Sequence, residues 1–371
     1  MAQTRHIMKK IFLNLVLFLV STGAIFAQSS ILATLSHEGE ITVFYGADAL
    51  KDAHAVAQHG DAITLSSGTF NATNITKAIT LRGAGMAIDT LKNTYPTVIN
   101  GSFNIEIGDS VSKQLTVEGI YNNFTITVKN GLNNATFIKN RFSKFSYQEG
   151  QDSTAQYDNN RFIHCKIIEY FWAPEYSSSK SMSFSNCYIQ SIRNNGCNSI
   201  FTNCIINNIG RTITHISSNF SIFLNNLTYC TFYNCIFIGN ITNNSSSYNI
   251  LNIKNVAYNC IATNITSQNT TKTSSNYTFA NITNDTNKAI QSISSVFKSF
   301  NGTYTDLQDF ELVDDIKTSF KGTDGTQVGI HGGSLPFSPA TTNPQITKCN
   351  VASRSTADGK LSVDIEVTCG E

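Results

Sequence analysis

The sequence predicts an all-β fold in which one chain winds through stacked coils of short parallel strands, a solenoid. A six-residue motif recurs at a period typical of such coils, and short alternating segments separated by Gly and Asn turns precede it. The composition agrees, because the chain is poor in charged residues and rich in Asn, Ser and Thr. We also expect an N-terminal helix that caps the solenoid and a C-terminal tail that resembles a β-hairpin.

The composition excludes several classes of protein. Of the 371 residues, 14% are charged and 41% are hydrophobic, with 24 phenylalanines. This apolar content excludes an intrinsically disordered chain, and the scarcity of charged helix formers argues against a helical bundle or coiled coil. Because 26 Lys and Arg nearly balance 25 Asp and Glu, we expect no binding to nucleic acid.

The motif Phe-x-Asn-Cys-x-Ile recurs through the middle of the chain. Successive cysteines of the motif are on average about 24 residues apart, which is typical of solenoid coils. The spacing varies while the motif does not, so we expect loops of variable length on a constant core. The copies are Phe162–Ile167, Phe184–Ile189, Phe201–Ile206, Phe232–Phe237 and Ala257–Ala262, with a weaker copy at Phe137–Phe142.

The parity of the motif predicts a bend at its third position. Alternate residues of a strand face the same side, so Phe and Cys both point inward only if the chain turns at the Asn. We expect stacked Asn amides that hydrogen-bond to one another, and stacked cysteines that are buried thiols rather than disulfides or zinc ligands. His164 takes the Asn position in the first copy and is predicted to be structural. The ladder residues are Asn186, Asn203, Asn234 and Asn259, with Cys165, Cys187, Cys204, Cys235 and Cys260.

The region before the motif fits the same architecture. Residues 47–59 carry apolar side chains at helical spacing, and Gly60 follows as a stop signal. Alternating segments between Asp61 and Val128 then predict short strands. A helix at this position would cover the open end of the solenoid.

Residues 1–27 have the three parts of a signal peptide. Lys9 and Lys10 precede the apolar run Ile11–Val20, and the segment ends in the small residue Ala27. The alternative is an N-terminal membrane anchor, but the apolar run of about ten residues is shorter than a bilayer span. We therefore expect an exported protein, periplasmic, at the cell surface or extracellular, with no transmembrane span in the mature chain.

A family resemblance is visible at Gly60–Leu65, Gly68–Phe70 and Ile79–Gly85. These segments resemble the first coils of pectin-lyase-like right-handed parallel β-helix proteins, and with the Asn-Cys copies the likeness covers roughly residues 40–300. It implies a right-handed parallel β-helix, which we place at residues 28–335, followed by a linker and hairpin-like tail at 336–371. The chain also resembles exported proteins of Bacteroides-type bacteria. The fold hosts lyases, hydrolases, esterases and adhesins alike, so it does not imply one function.

Clustered carboxylates of the kind that enzymes of this family use are not recognisable in the sequence. Residues 130–290 hold only scattered Asp and Glu, without an Asp-x-Asp motif. The pair Asp314 and Asp315 is predicted to lie in a solvated turn. We name no catalytic residue, no metal ligand and no cofactor, and we allow for Ca²⁺ only if the chain is a divergent polysaccharide lyase or glycoside hydrolase.

The segment 169–176 holds the only Trp of the chain and lies between two copies of the motif, where we expect a protruding loop. Aromatic faces stack on sugar rings, and carboxylates accept hydrogen bonds from sugar hydroxyls. The alternative is that these aromatic side chains pack on the flank of the solenoid. The candidate binding residues are Glu169, Tyr170, Trp172, Glu175 and Tyr176.

The nine cysteines are an odd number, so at least one stays free or pairs between chains in an oxidising compartment. Cys349 and Cys369 flank the alternating tail segment around Asp358-Gly359 and would be able to pair across a hairpin. The sequence leaves their state, and that of Cys197 and Cys230, open.

Two hypotheses about function follow. The first is a secreted or surface-associated, non-catalytic and adhesin-like protein, a monomer that binds polysaccharide or cell-surface glycans. The alternative is a divergent polysaccharide lyase or glycoside hydrolase that acts on acidic polysaccharide. A purely structural role in the envelope is a third reading.

Overall fold

The computed structural model is mostly β-sheet, which confirms the all-β prediction. It describes residues 31–88, 95–147, 154–174, 180–193, 198–207, 230–238, 256–263, 286–290, 292–339, 345–352, 354–356 and 358–368. The predicted signal peptide at residues 1–27 lies outside the described residues. Among the described residues, no helix has the length and apolar character needed to cross a membrane.

The first sheet has 11 strands and is parallel apart from its N-terminal end, where β1 pairs antiparallel with both β2 and β3. In order across the sheet, the strands are β2 (Glu40–Tyr45), β1 (Leu32–His37), β3 (Ala62–Leu65), β5 (Thr80–Arg82), β8 (Thr116–Glu118), β10 (Thr136–Ile138), β12 (Tyr157–Ile163), β14 (Lys180–Ser185), β17 (Asn198–Thr202), β19 (Thr231–Tyr233) and β21 (Val256–Tyr258).

The second sheet has 12 strands, and its recorded pairings are parallel. In order, the strands are β4 (Gly68–Asn71), β6 (Thr97–Asn100), β9 (Ile120–Val128), β11 (Arg141–Tyr147), β13 (Lys166–Trp172), β15 (Tyr188–Ile189), β18 (Ile205–Ile206), β20 (Ile236–Phe237), β22 (Ile261–Thr263) and β23 (Lys288–Ile290), with β7 (Phe103–Ile105) beside β9 and β16 (Ile192–Arg193) beside β13.

The predicted N-terminal helix is confirmed as α1 (Ala49–Val56). Its apolar side buries Ala49, Leu50 and Ala53, and the helix contacts β1, β2, β3 and β4. It therefore lies against the N-terminal strands of both sheets, at the position that the sequence predicted.

The chain passes from the first sheet to the second at each copy of the motif, and the main core lies between the two sheets. One column of this core consists of Phe137, Phe162, Phe184, Phe201 and Phe232, whose rings stack at 4.7 to 4.9 Å between centroids. All five are buried, as the inward direction of the first motif position predicted.

The predicted bend at the third position of the motif is confirmed. The left-handed φ values at this position lie between 50° and 56° for Asn186, Asn203, Asn234 and Asn259, and His164 has a φ of 54°. Asn adopts this conformation more readily than other residues with a Cβ. We call the stacked residues at this position the corner column. The position of His164 in it supports a structural role.

The cysteines after the corner are buried thiols. Each of Cys165, Cys187, Cys204, Cys235 and Cys260 is fully buried and free of a disulfide. Each sulfur lies 3.3 to 3.7 Å from the carbonyl oxygen of the aromatic residue at the first motif position of the preceding coil. Burial raises the pKa of the Cys187 and Cys235 thiols, which keeps them protonated and able to donate.

Asparagine replaces cysteine at both ends of this thiol column. Asn140 donates from Nδ2 to the Val117 carbonyl and accepts from the Ile120 amide, at 2.8 and 2.9 Å. Asn287 makes the same two bonds to Ala257 and Cys260. The column thus takes side chains that both donate and accept, because the bend leaves a carbonyl and an amide of each coil outside the sheet hydrogen bonds.

Residues 292–339, which we call the strap, contain no strand of either sheet, although the sequence placed residues up to 335 in the coils. The strap holds a 3₁₀ turn at Ile293–Ser295 and the helix α2 (Asp314–Ser319). Asp314 and Asp315 were expected in a turn and instead begin this helix. Their carboxylates are stabilised there by the positive end of the helix dipole.

The strap covers the outer face of the second sheet and forms a second apolar core there. Tyr188, Ile205, Ile236 and Ile261 of the sheet pack against it. The strap contributes Ile293, Val296, Phe297, Phe300, Phe310, Leu312, Ile316, Val328 and Ile330 to this cluster.

The expected amide-to-amide ladder of asparagines is wrong, because the strap provides the hydrogen-bond partners. The Asn186 amide donates to the carbonyls of Ile330 and Gly332 at 2.9 and 2.8 Å. Asn234 accepts from the Thr323 amide, and Asn259 donates to the Lys321 carbonyl. Asn203 lies directly against Gly333, whose Cβ, if it had one, would be 2.4 Å from the Asn203 Nδ2. The corner asparagines therefore face outward and bind the strap.

The predicted C-terminal hairpin is confirmed. Strands β24 (Gln345–Val351) and β25 (Val363–Thr368) pair antiparallel as a separate two-stranded sheet. Cys369 and Cys197 lie outside the described residues, and nothing is described of the Cys349 side chain, so the pairing of Cys349 with Cys369 stays a prediction. Cys230 is buried.

The burial of the thiol column predicts its chemical reactivity. Alkylating reagents are expected to label none of the five column cysteines in the native protein, because each thiol is fully buried and the reagent cannot reach it. All five are expected to react once the protein is unfolded in denaturant. Peptide mapping by mass spectrometry separates them from the other cysteines, and rapid labelling of Cys204 in native protein would contradict this account.

The corner column predicts a graded cost of substitution. Asn186→Ala loses two hydrogen bonds. It also leaves a residue at a left-handed φ that, unlike Asn, has no polar side chain to stabilise this conformation. We therefore expect a loss of about 2–3 kcal/mol in unfolding free energy. Asn186→Gly loses the same bonds without the strain, so we expect a loss of only about 1–2 kcal/mol. Denaturant titration measures both, and equal losses in the two variants would show that the bend carries no strain.

Candidate functional site

The candidate site lies on the outer face of the second sheet, beside the part of that face that the strap covers. In each motif the residue between Cys and Ile points outward, and these residues pair in register from strand to strand. We call them the outer column. It reads Val98, Tyr121, Arg141, Lys166, Tyr188, Ile205, Ile236 and Ile261. The apolar half from Tyr188 onward is covered by the strap, whereas the half from Val98 to Lys166 lines an open cavity.

This cavity has a volume of about 350 Å³. Such a volume is within the range of sites for small ligands. The outer column forms its floor, the loop after β5 forms one side, and the strap forms the other. The lining residues are Met86, Ala87, Ile88, Pro96, Val98, Tyr121, Arg141, Lys166, Tyr304, Asp306 and Leu307.

Arg141 is held in place by Asp306, Asn123 and Tyr121. Its Nε donates to Asp306 Oδ1 at 2.9 Å, and its Nη2 lies 3.4 Å from Asp306 Oδ2. Nη1 donates to the side-chain oxygen of Asn123, and the guanidinium lies 4.2 Å above the centroid of the Tyr121 ring. Tyr304 completes the group, since its hydroxyl donates to Asp306 at 2.9 Å. The Arg141 charge is thus paired and fixed in direction.

The same contacts set the ionisation of Asp306. Burial opposes its charge, but the hydrogen bonds from Arg141 and Tyr304 prevail and lower the pKa of the carboxyl. Burial raises the pKa of Tyr304, which keeps its hydroxyl protonated as the donor. Asp306 is therefore an anion whose charge is directed at Arg141.

Lys166 lies next to Arg141 on the floor and is 7% exposed. Its ammonium faces the rings of Tyr304, Phe310 and Phe337, at 5.6, 5.9 and 5.4 Å from their centroids. Among the described residues its ammonium makes no hydrogen bond and has no carboxylate oxygen within 4.0 Å, and the Asp306 carboxylate is engaged by Arg141. Burial lowers the pKa of Lys166 to about 8, with the Asp306 charge opposing and the Arg141 charge assisting the decrease.

The cavity therefore combines two cations with one carboxylate at neutral pH. Aromatic rings attract the ammonium of Lys166, but they do not neutralise it. A buried charge without a counter-charge is costly, and an anion that entered the cavity would remove this cost. The arrangement can hold an anionic group between Lys166 and Arg141, beside the rings of Tyr121 and Tyr304.

Three of the five residues predicted to bind glycans lie on the same strand as Lys166, and these three do not line the cavity. Glu169, Tyr170 and Trp172 belong to β13, so the expectation of a protruding loop is wrong for this part of the segment. Glu169 pairs with Lys144 at 3.2 Å, and Tyr170 and Trp172 meet edge to face at 5.9 Å. Both rings are half-buried on the outer face of the sheet. Glu175 and Tyr176 lie outside the described residues, and a binding role for any of the five stays a prediction.

The site residues were missed because they belong to a repeat position that looks uninformative. The weaker copy places Arg141 at the same position as Lys166, and the next copies have Tyr, Ile, Ile and Ile there. A change from charged to apolar at an outward position is a signal that something covers the later coils. Asp306 carries no comparable signal, since it lies 165 residues from Arg141 in the chain.

Within the described parts of the chain, no three His, Cys, Asp or Glu side chains are grouped closely enough to hold a metal ion. No family model, no curated protein and no solved structure matches this chain. What the site does is therefore inferred from its geometry.

The environment of Lys166 predicts how stability depends on pH. The unfolded Lys keeps its proton up to a pH of about 10.4, while the folded one releases it near 8. Between these values the unfolded state binds more protons, so wild-type stability rises with pH relative to Lys166→Met. The groups that face Lys166 are Arg141, Asp306 and the Tyr304 hydroxyl.

We expect Lys166→Met to be more stable than the wild type at pH 7 by about 1–3 kcal/mol, and this gain to shrink by pH 10. Denaturant titrations at the two pH values measure it. Lys360→Met is the matched control, because the Lys360 side chain is 82% exposed. A gain that is the same at both pH values would contradict a buried, uncompensated ammonium.

Proposed function

We propose that this chain is an exported right-handed parallel β-helix protein that binds anionic glycans without catalysis. The alternation of the chain between two parallel sheets supports the β-helix, and parallel crossovers are almost always right-handed. The signal-like residues 1–27 support export. The glycan-binding role rests on the site.

One observation carries the proposal: Lys166 lines an open cavity, and its ammonium forms no ion pair with any carboxylate among the described residues. A carboxylate or sulfate of an acidic sugar would supply that counter-charge, with Arg141 on its other side. Tyr121 and Tyr304 also line the cavity, so their rings would contact the bound sugar. A glycan in this cavity would be recognised by charge and by stacking at once.

Tyr170 and Trp172 extend this site in the proposal. They follow Lys166 on β13, and at about 3.3 Å per residue Tyr170 lies roughly 13 Å along the strand. A glycan longer than the cavity would reach these half-buried rings across the outer face. The predicted aromatic site and the cavity would then be parts of one binding surface.

A second function is favoured by the ionisation of Lys166. An amine with a pKa of about 8 is a usable general base, and Arg141 beside it would stabilise negative charge on a uronic-acid carboxylate. Lys166 would remove the proton next to the carboxylate, a carbon–carbon double bond would form, and the glycosidic oxygen would leave with its electron pair. The chain would then be a polysaccharide lyase.

Glycan-binding measurements distinguish a site in the cavity from one at Tyr170 and Trp172. On a glycan array we expect binding to acidic glycans, with at least about tenfold weaker binding by Lys166→Met, which corresponds to about 1.4 kcal/mol. Lys360→Met serves as the control and should bind as the wild type does. Equal binding by Lys166→Met would refute the cavity as the site, and unchanged binding by Trp172→Ala would restrict the site to the cavity.

The lyase alternative has its own readout. Elimination produces unsaturated ends that absorb ultraviolet light, and the wild type would release them from uronic-acid polymers faster at pH 9 than at pH 7. Binding without any such release at either pH, with and without added Ca²⁺, would leave the non-catalytic function.

A further inference from the structure

The floor of the cavity changes in character along its length. Val98, Tyr121, Arg141 and Lys166 are neighbours in three successive parallel pairings. With strands about 4.8 Å apart, the floor runs roughly 14 Å from an apolar end at Val98 to a cationic end at Lys166. A ligand that matched this floor would itself have one apolar and one anionic end.

The walls follow the same division. At the Val98 end, the described residues of the loop after β5 and of the start of β6 that line the cavity all have apolar side chains. Ile88 there is 61% exposed, and Leu307 of the strap, also in the lining, is 97% exposed. Sugar hydroxyls would find no hydrogen-bond partners among such side chains, whereas a hydrocarbon group would cover them. The apolar wall residues are Met86, Ala87, Ile88, Pro96, Val98 and Leu307.

We infer that the cavity binds an amphipathic anion, a carboxylate with an acyl chain or an aromatic ring as its body. The carboxylate lies between Lys166 and Arg141, and the apolar body extends over Tyr121 to Val98, Ile88 and Leu307. The inference rests on the proposed function only in the choice of Lys166 as the anion site. The ligand class is shared by a free acyl carboxylate and by an acidic sugar that carries an acyl substituent.

The charge of the site selects the anion, and its wall selects the apolar body. Neutral and cationic molecules of the same chain length leave Lys166 uncompensated or repel it. Polar anions without a hydrocarbon body compensate Lys166 but leave Ile88 and Leu307 in water. Only a molecule with both parts satisfies both ends, which makes the inference testable with simple compounds.

Titration calorimetry on the full chain tests it. We expect octanoate to bind at least tenfold more tightly than octanol, octylamine or galacturonate. Octanoate that binds no more tightly than octanol would overturn the role of the charge. Octanoate that binds no more tightly than galacturonate would overturn the role of the apolar wall.

Three variants assign the binding to this cavity. Leu307→Asp places a carboxylate on the apolar wall at a residue so exposed that folding should be unaffected, and we expect at least a tenfold loss of octanoate affinity. Lys166→Met should also lose at least tenfold. Leu361→Asp, in the hairpin tail and 51% exposed, is the control and should keep full affinity. Thermal unfolding of each variant shows that it is folded, and wild-type affinity in folded Leu307→Asp would overturn the inference.

A comparison with glycans separates this inference from the proposed function. Octanoate binding with no binding of any acidic glycan would support the amphipathic ligand and overturn the glycan-binding role. Binding of unsubstituted acidic glycans with no binding of octanoate would do the reverse. Octanoylated galacturonate that binds more tightly than both octanoate and galacturonate would support the inference and identify an acylated acidic sugar as the source.

Discussion

The left-handed bend at the corner column is the constraint on which the rest of the structure depends. It turns the chain from the first sheet to the second within one residue, so that Phe before the bend and Cys after it share one core. The bend also takes a carbonyl and an amide of each coil out of the sheet hydrogen bonds. The side chain after the corner must restore those bonds, which explains both the cysteines and the asparagines that replace them at the two ends.

The same bend directs the corner side chains outward, where the strap uses them. The strap runs along the corner column from Asn259, bound through Lys321, back to His164, whose ring nitrogen lies 3.0 Å from the Leu335 carbonyl oxygen. The strap covers the later strands of the second sheet. Near the earlier strands, the part of it that lines the cavity is Tyr304, Asp306 and Leu307. The open stretch of the outer column between Val98 and Lys166 is a consequence of this course.

The repeated features could be predicted from the sequence, because one local pattern determines them in every coil. The inward Phe column, the bend at Asn186 and its equivalents, and the burial of the thiols all follow from the parity of the motif. The strap could not be predicted in this way. Its contacts with the two sheets join residues up to 185 positions apart and have no period. The asparagines illustrate the limit, since their positions were correct while their partners belonged to a distant segment.

The candidate site combines residues of the repeat with residues of the strap, and only the former have a periodic signal in the sequence. Lys166 and Arg141 occupy a periodic position, whereas Asp306 and Tyr304 come from the strap. The strap places one carboxylate, that of Asp306, near these two cations. Arg141 donates two hydrogen bonds to it. Lys166 is left buried against three rings, an arrangement that disfavours the folded state. Structural needs would be met by Ile here, as they are at Ile205 and Ile236 in the same column. Under the proposed function, the charge of a bound ligand accounts for a lysine in this position.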